Sequence, residues 1–373
     1  MSSDPVQLAQ LQFSTRLLKE LASKDTGNVV VSPISILTVL SMVYSGAANE
    51  TKEEFNEVLG YNGEEDDWNK HFSILLNAFE AKEKPYTLNS ANKIFLRNGF
   101  DLKQSFKDKM EKFFLNAYQE LDFDQKTEAV QTINKFIEDH TGGKITDLVD
   151  ESNISELTKL VVVNALYFKS TWEKKFDKNK TEDKVFFVKP DQAKKVKMMK
   201  KEAKFIYYDE TDFQLLGLPY AGEGVYLFVL LPREKFGADD LLKTLDAEKL
   251  KSLISRRYKV KVDVELPRFK INSKTKLNDA MKNIGLQKGF GIEPEFTEIA
   301  EERLKIDELL HQVFIETNEE GSEAAAATGA VLNLLSAMPL PEEEIRFVAD
   351  HPFLFFVATK YSDVLFTGIV RDF

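Results

Sequence analysis

The sequence predicts a single α+β domain, and three observations carry that prediction. Apolar runs such as Leu160 to Phe168, Val225 to Pro232 and Val364 to Val370 have the length and the β-branched or aromatic content of buried strands. Apolar residues at helical spacing mark other stretches, among them Leu8, Leu11, Leu18 and Leu21, and later Val130, Ile133 and Ile137. The 373 residues would suit two or three domains at about 150 residues each. Yet no linker, repeat or compositional break divides the chain, and its length allows one large core.

Taken in order, Asp4 and Pro5 form a helix cap followed by a favoured first-turn proline. Asn28 to Ser32 is a short β-branched run that Pro33 ends, and Ile34 to Tyr44 reads as a buried helix stopping at Gly46. Acidic and polar residues from Glu64 to Asn69 predict a surface connection, after which Phe72, Leu75 and Phe79 resume a helical period. Thr127 to His140 is an amphipathic helix with a glycine stop at Gly142 and Gly143. Leu160 to Phe168 is apolar almost throughout, as in a strand covered on both faces. Further strands are expected at Leu215 to Tyr220, Val225 to Pro232 and Val260 to Ile271, with turn cues that suit antiparallel pairing. Ala238 to Ser255 is a second helical block, and Phe353 to Thr359 and Val364 to Val370 are terminal strands.

Composition excludes several classes. Hydrophobic content of 43% with 30% charged residues is that of a soluble globular protein. A net charge of −11 argues against a general nucleic-acid binder. The absence of cysteine removes disulfides and thiol chemistry. The N-terminus has no basic segment followed by an apolar one, so no secretory signal is expected, and no apolar run is long enough to span a bilayer. Sequons at Asn49, Asn153 and Asn179 do not decide the compartment.

No catalytic constellation can be assembled. None of the four histidines, His71, His140, His311 and His351, has the spacing of a zinc pair. Neither a nucleophile elbow nor a phosphate-binding glycine loop occurs. No enzyme activity, metal or cofactor is therefore expected.

The stretch from Glu319 to Ser336 is different in kind. Its alanines favour helix, but Gly321, Gly329, Thr328 and Val331 do not, so propensity settles neither state. At strand period Ser322, Ala324, Ala326, Thr328, Ala330 and Leu332 share one small, uncharged face. Glu323 carries the only charge of the other. Such a segment suits both an exposed loop and an extra strand in a sheet; the bland alternative is an Ala-rich linker.

Glu319-Glu320-Gly321-Ser322-Glu323 followed by Ala324, Ala325, Ala326 and Ala327 resembles the hinge of the serpin family. The resemblance extends from about Leu8 to Val370. It includes Ser32-Pro33-Ile34-Ser35-Ile36, Ala91-Asn92-Lys93-Ile94-Phe95, Asn164-Ala165-Leu166-Tyr167-Phe168-Lys169 with Trp172, and Phe347-Val348-Ala349-Asp350-His351-Pro352-Phe353. Two departures are visible: Phe136 stands where the family usually has tryptophan, and Arg371-Asp372-Phe373 lacks the common proline. The resemblance implies a single domain over residues 1–373 with three β-sheets, about nine helices and an exposed reactive-centre loop at about 319–342. The helix at Thr127 to His140 would then lie across the main sheet.

It also implies suicide inhibition of serine proteases by a monomer. Counted as in the family, the fifteenth residue from Gly321 is Leu335, which puts the reactive bond at Leu335–Ser336, with Met338 as a second bait. Leucine suits the apolar primary pocket of chymotrypsin-, elastase- or cathepsin G-like enzymes, not the acidic pocket of trypsin-like ones. Cysteine proteases are further possible targets, through a thioester. The bland alternative for Leu334 and Leu335 is a partly packed loop. An inserted strand of about 14 residues, with half of its ladder bonds worth roughly 1 kcal/mol each, would release on the order of 10 kcal/mol and carry a bound protease about 45 Å.

Ser32, Ser35, Asn164 and His311 match the family's polar shutter beneath the sheet, although His311 alone would pass for a satisfied core histidine. Glu319, Arg268 and Trp172 match the breach at its top, where Glu319 is expected to pair with Arg268. Non-inhibitory relatives often carry bulky, charged or proline residues in the hinge, and this chain does not; a carrier or chaperone is the alternative function. Lysines outnumber acids from Lys174 to Lys204, but a lysine-protected strand edge is preferred to a heparin-like polyanion site. The extracellular space is the compartment expected from function, with the cytoplasm as alternative.

Overall fold

The computed structural model describes residues 5–80, 86–222, 224–291, 293–322 and 345–373. The first part alternates helices with single strands: α1 (Pro5–Lys24), β1 (Val29–Val31), α2 (Pro33–Tyr44), α3 (Asn49–Leu59), α4 (Glu65–Glu80), β2 (Tyr86–Arg97), α5 (Gln104–Phe114), β3 (Tyr118–Leu121), α6 (Lys126–His140) and β4 (Leu160–Thr171). Strands then dominate: β5 (Glu182–Lys189), β6 (Gln192–Asp209), β7 (Phe213–Pro219) and β8 (Val225–Pro232) precede α7 (Ala238–Thr244) and α8 (Ala247–Ile254). The chain continues through β9 (Lys259–Pro267), β10 (Phe269–Lys276), α9 (Asn278–Asn283), β11 (Glu308–Thr317) and β12 (Gly321–Ser322), and ends with β13 (Ile345–Val348), β14 (Phe353–Thr359) and β15 (Val364–Val370).

One sheet has the order β3-β2-β4-β11-β10, with β12 added against β4. The other described strands form a second hydrogen-bonded system, β1-β15-β14-β8-β7-β6-β9-β13, in which β5 also pairs with β6. The two smaller sheets expected beside the main one are thus joined. The 18-residue β6 pairs with β5 over Gln192 to Met198, with β9 over Met198 to Ile206 and with β7 over Ile206 to Asp209, so one strand serves both.

Burial follows from sequence pattern. α2 is buried at every position because it is apolar all round and runs through the core, with β2, β4 and β15 packed around it. On the opposite face of the first sheet, Ala129, Ile133 and Ile137 of α6 pack with Phe95, Val161, Val163 and Tyr167. α6 therefore lies across that sheet, as the resemblance implied.

Three local expectations are corrected. The acidic stretch Glu64 to Asn69 is not a surface connection: Glu65, Asp66 and Asp67 form the first turn of α4, where carboxylates complement the helix dipole. Trp68 and Asn69 are buried, and their side chains donate to Ser41 Oγ at 2.7 Å and Ser45 Oγ at 3.0 Å. Val260 to Ile271 is two strands in two sheets, divided at Pro267, which has no N–H to continue a ladder. Ala238 to Ser255 is two helices, because Asp246 caps the second by accepting from Lys249 N at 2.8 Å.

Candidate functional site

The first sheet carries an unusual joint. β4 and β11 are parallel neighbours, paired from Val161↔Glu308 to Tyr167↔Phe314. Beyond Phe314, β11 has no partner on β4. There the turn after β11 brings β12 back antiparallel to β4, pairing Gly321 with Thr171 and Ser322 with Ser170. A strand continuing in that direction between two parallel strands would meet both of them antiparallel.

The start of β12 is tightly specified. Gly321 has φ of +140°, and a Cβ there would collide with the Ser170 carbonyl oxygen and the Thr171 backbone. Ser322 is fully buried, and its hydroxyl shares a 2.8 Å hydrogen bond with Tyr220. Burial holds the Tyr220 phenol above its ordinary pKa range, so it remains neutral. The Tyr220 ring stacks on Trp172 at 4.5 Å and 8°.

Trp172 and Glu319 organise the turn itself. Trp172 Nε1 donates to Asn318 O at 2.8 Å, and Trp172 N to Glu320 O at 2.8 Å. Glu319 is buried and accepts from Arg268 Nε at 2.7 Å, from a second Arg268 nitrogen and from Thr181 Oγ1. Burial pushes the Glu319 pKa up, but these hydrogen bonds outweigh it and hold the carboxyl below its ordinary range. Glu320 pairs with Lys175 at 2.7 Å and with Lys178 at 3.3 Å. Arg268→Met strands the Glu319 carboxylate, at a cost of about 3 kcal/mol or more. Differential scanning calorimetry is expected to record a melting temperature lower by about 4 °C, given the unfolding entropy of a chain of 373 residues.

The expected shutter is assembled deeper in the same sheet. Asn92 of β2, Asn164 of β4, His311 of β11 and Thr275 of β10 are mutual register partners, so they form one row across four strands. Ser32 N donates to His311 Nε2 at 3.1 Å, which assigns the ring proton to Nδ1, and Nδ1 donates to Asn164 Oδ1. Asn164 Nδ2 donates to Ser35 Oγ and to Asn92 Oδ1, and Ser35 Oγ donates to Asn92 Oδ1 at 3.0 Å. Ser32, the N-cap of α2, also accepts from Ser35 N at 3.4 Å.

Burial pushes the His311 pKa from 6.5 down to about 3, despite the Asn164 hydrogen bond that raises it. The unfolded chain therefore binds a proton between those values that the folded chain refuses, and stability falls as pH drops through that window. Chemical denaturation is expected to give about 2 kcal/mol less stability at pH 5 than at pH 8 from this group. His311→Asn should remove that part of the pH dependence.

All four expected shutter residues and all three breach residues are thus brought together, as are hinge residues Glu319, Glu320, Gly321 and Ser322. Glu323, Ala324, Ala325, Ala326 and Ala327, the bond Leu335–Ser336 and Met338 lie outside the described residues. Sequence reasoning missed Asn92 and Tyr220 as members of the site. Asn92 carried a readable signal, a polar residue at an inward position of a strand that faces Asn164; Tyr220 carried none. The lysine-rich segment forms β5, β6 and the chain leading to them. Its lysines include Lys184, Lys197 and Lys200, paired with Glu265, Asp183 and Asp263 at 2.8, 2.9 and 2.9 Å.

The sheet thus combines a parallel joint between β4 and β11, a small buried residue at its head and a buried polar row across four strands. The family model described as Serpin (serine protease inhibitor) matches residues 8–373, and the chain belongs to the serpin family. It is 35% identical to Serpin B6 of Pongo abelii over 95% of this chain and 96% of that one. It is 34% identical to the leukocyte elastase inhibitor of Bos taurus over 98% of both. Among solved structures it is similar to Arabidopsis AtSerpin1 in a native stressed conformation, at 32% identity and a TM-score of 0.87 over 99% of this chain and 98% of that one. Human thyroxine-binding globulin, 23% identical over 98% of both chains with a TM-score of 0.88, shares the fold.

Proposed function

We propose that this serpin is a single-use inhibitor of chymotrypsin- or elastase-like serine proteases, cleaved at Leu335–Ser336. The carrying observation is the joint: parallel β4 and β11 with β12 antiparallel at its head and Ser322 already buried there. After the serine attacks the Leu335 carbonyl, the ester tethers protease to Leu335. The freed segment continues from Ser322 between β4 and β11, and the small side chains Ala324 and Ala326 follow inward. The protease is dragged away and distorted before water cleaves the ester. The relatives that inhibit elastase or chymotrypsin, by their names, favour this reading over a carrier or chaperone.

Incubation with chymotrypsin and denaturing electrophoresis test it. A band of summed mass is expected, with mass spectrometry giving cleavage after Leu335. A cleaved chain with free, active protease would instead support the non-inhibitory alternative. Cysteine proteases are a second target class to screen. Extracellular targets are the expectation from function and cytoplasmic ones the alternative; fractionation of source cells separates them.

A further inference from the structure

Two Asn–Gly pairs occur in the sequence, Asn62–Gly63 and Asn98–Gly99. In such a pair no side chain stands beside the second backbone nitrogen, so the asparagine amide carbon can reach it. The fold treats the two pairs differently.

Gly63 is covered. A Cβ there would lie 2.3 Å from the Tyr61 hydroxyl oxygen and 2.4 Å from Tyr61 Cζ, so the phenol lies directly against the glycine. That phenol is itself fixed: Tyr61 is only 9% exposed, and its ring centroid lies 5.0 Å from that of fully buried Trp68. Gly99 is open. Nothing lies within 4 Å of the place its Cβ would take, and its φ of +87° is one that glycine adopts without strain. Asn98 and Gly99 are both exposed, and neither the Asn98 amide nor the Gly99 N–H donates to a described residue.

The chain is anchored on either side of this turn. Arg97 N donates to Lys159 O at 2.8 Å and Asn98 N to Leu121 O at 2.9 Å. Beyond the turn, Lys103 N donates to Ile299 O at 2.8 Å, and half-buried Phe100 packs against the main core. Between these ties the Asn98–Gly99 peptide is free to rotate, as at other exposed loop tips.

We propose that Asn98 is a site of spontaneous covalent modification in the folded protein, passing through a succinimide to aspartate and isoaspartate while Asn62 is retained. The Gly99 nitrogen gives its proton to solvent and attacks Asn98 Cγ. A C–N bond forms, and the side-chain nitrogen takes a solvent proton and leaves as ammonia. Water then opens the ring at either carbonyl, and nothing is oxidised or reduced. Each product gains a carboxylate. Isoaspartate also routes the main chain through the side chain and lengthens it by one carbon, between the Asn98 anchor and Phe100. Protease inhibition plays no part in this chemistry.

Incubation of the full chain at mildly alkaline pH, followed by peptide mass spectrometry, tests the site. Asn98 is expected to gain about 1 Da at least about tenfold faster than Asn62. Isoaspartyl methyltransferase with S-adenosylmethionine should label the wild type and not Asn98→Gln. A synthetic peptide of residues 95–102 gives the rate of the unconstrained turn. Retention of Asn98 over a period that converts the peptide, faster conversion of Asn62, or undiminished labelling of Asn98→Gln would overturn the site. The acidic product, isolated by ion exchange, should melt below Asn98→Asp, which has the charge without the added carbon. Equal melting would overturn the expected strain between the Asn98 anchor and Phe100.

Discussion

On the proposed inhibitory reading, Ser322→Arg is expected to turn a protease trap into a substrate. Chymotrypsin would be recovered active, the chain would be cut after Leu335, and the covalent band would nearly vanish. Ser322 has no exposed surface, and its hydroxyl meets Tyr220 beneath the Trp172 ring. The buried carboxylate at this turn, Glu319, is already committed to Arg268 and Thr181. In the uncut chain an arginine at 322 can turn to solvent by giving up the two β12 pairs, but insertion past it would bury the guanidinium without a partner, at a cost of several kcal/mol. In the proposed mechanism trapping is a race between insertion and hydrolysis of the ester. Three kcal/mol on the insertion barrier slows it about 100-fold, enough to reverse the outcome. Ser322→Ala supplies the control: it gives up one hydrogen bond, about 1 kcal/mol, and should still trap. Full-stoichiometry trapping by the Arg variant would refute the hinge argument.

Cleavage after Leu335 in the wild-type protein is expected, on the proposed reading, to raise its melting temperature by roughly 10 °C. The proposed insertion would open the seven β4–β11 register pairs and replace them with two antiparallel ladders. With about 14 inserted residues, half-satisfied ladders and roughly 1 kcal/mol per bond, the net gain is about 7 kcal/mol before the inward side chains are packed. For 373 residues the unfolding entropy is about 0.8 kcal/mol/K, so each kcal/mol is worth slightly more than 1 °C. Scanning calorimetry before and after limited proteolysis measures the shift. An unchanged melting temperature in a fully cut chain would mean that the severed segment stays outside the sheet. Ser322→Arg, cut in the same way, should gain far less.

Much of the fold was legible because its signals are local. Pro5 and Pro33 at helix starts and the continuous apolar run of β4 are read from a few neighbouring residues. The errors share a cause. Trp68 looked exposed because its neighbours are acidic, whereas the acids belong to a helix N-terminus and the tryptophan reaches Ser41 on another helix. The strands divided at Pro267 looked continuous because a change of sheet leaves little local trace. β11, the strand on the far side of the joint, was not picked out as a strand at all.

The candidate site divides in the same way. The residues assigned to hinge, shutter and breach were picked out through motif resemblance, and of the contacts expected among them the Arg268–Glu319 pair is present. Asn92 entered the shutter through strand register, and Tyr220 through a bridge to Trp172 from a distant segment. The sequence alone determined that a small, uncharged face at strand period begins at Ser322, since side-chain size, charge and period-2 alternation are written in chain order. Only the tertiary structure decided that β4 and β11 are parallel neighbours with Ser322 at their head, because the pairing of strands far apart in sequence is settled by how whole layers pack.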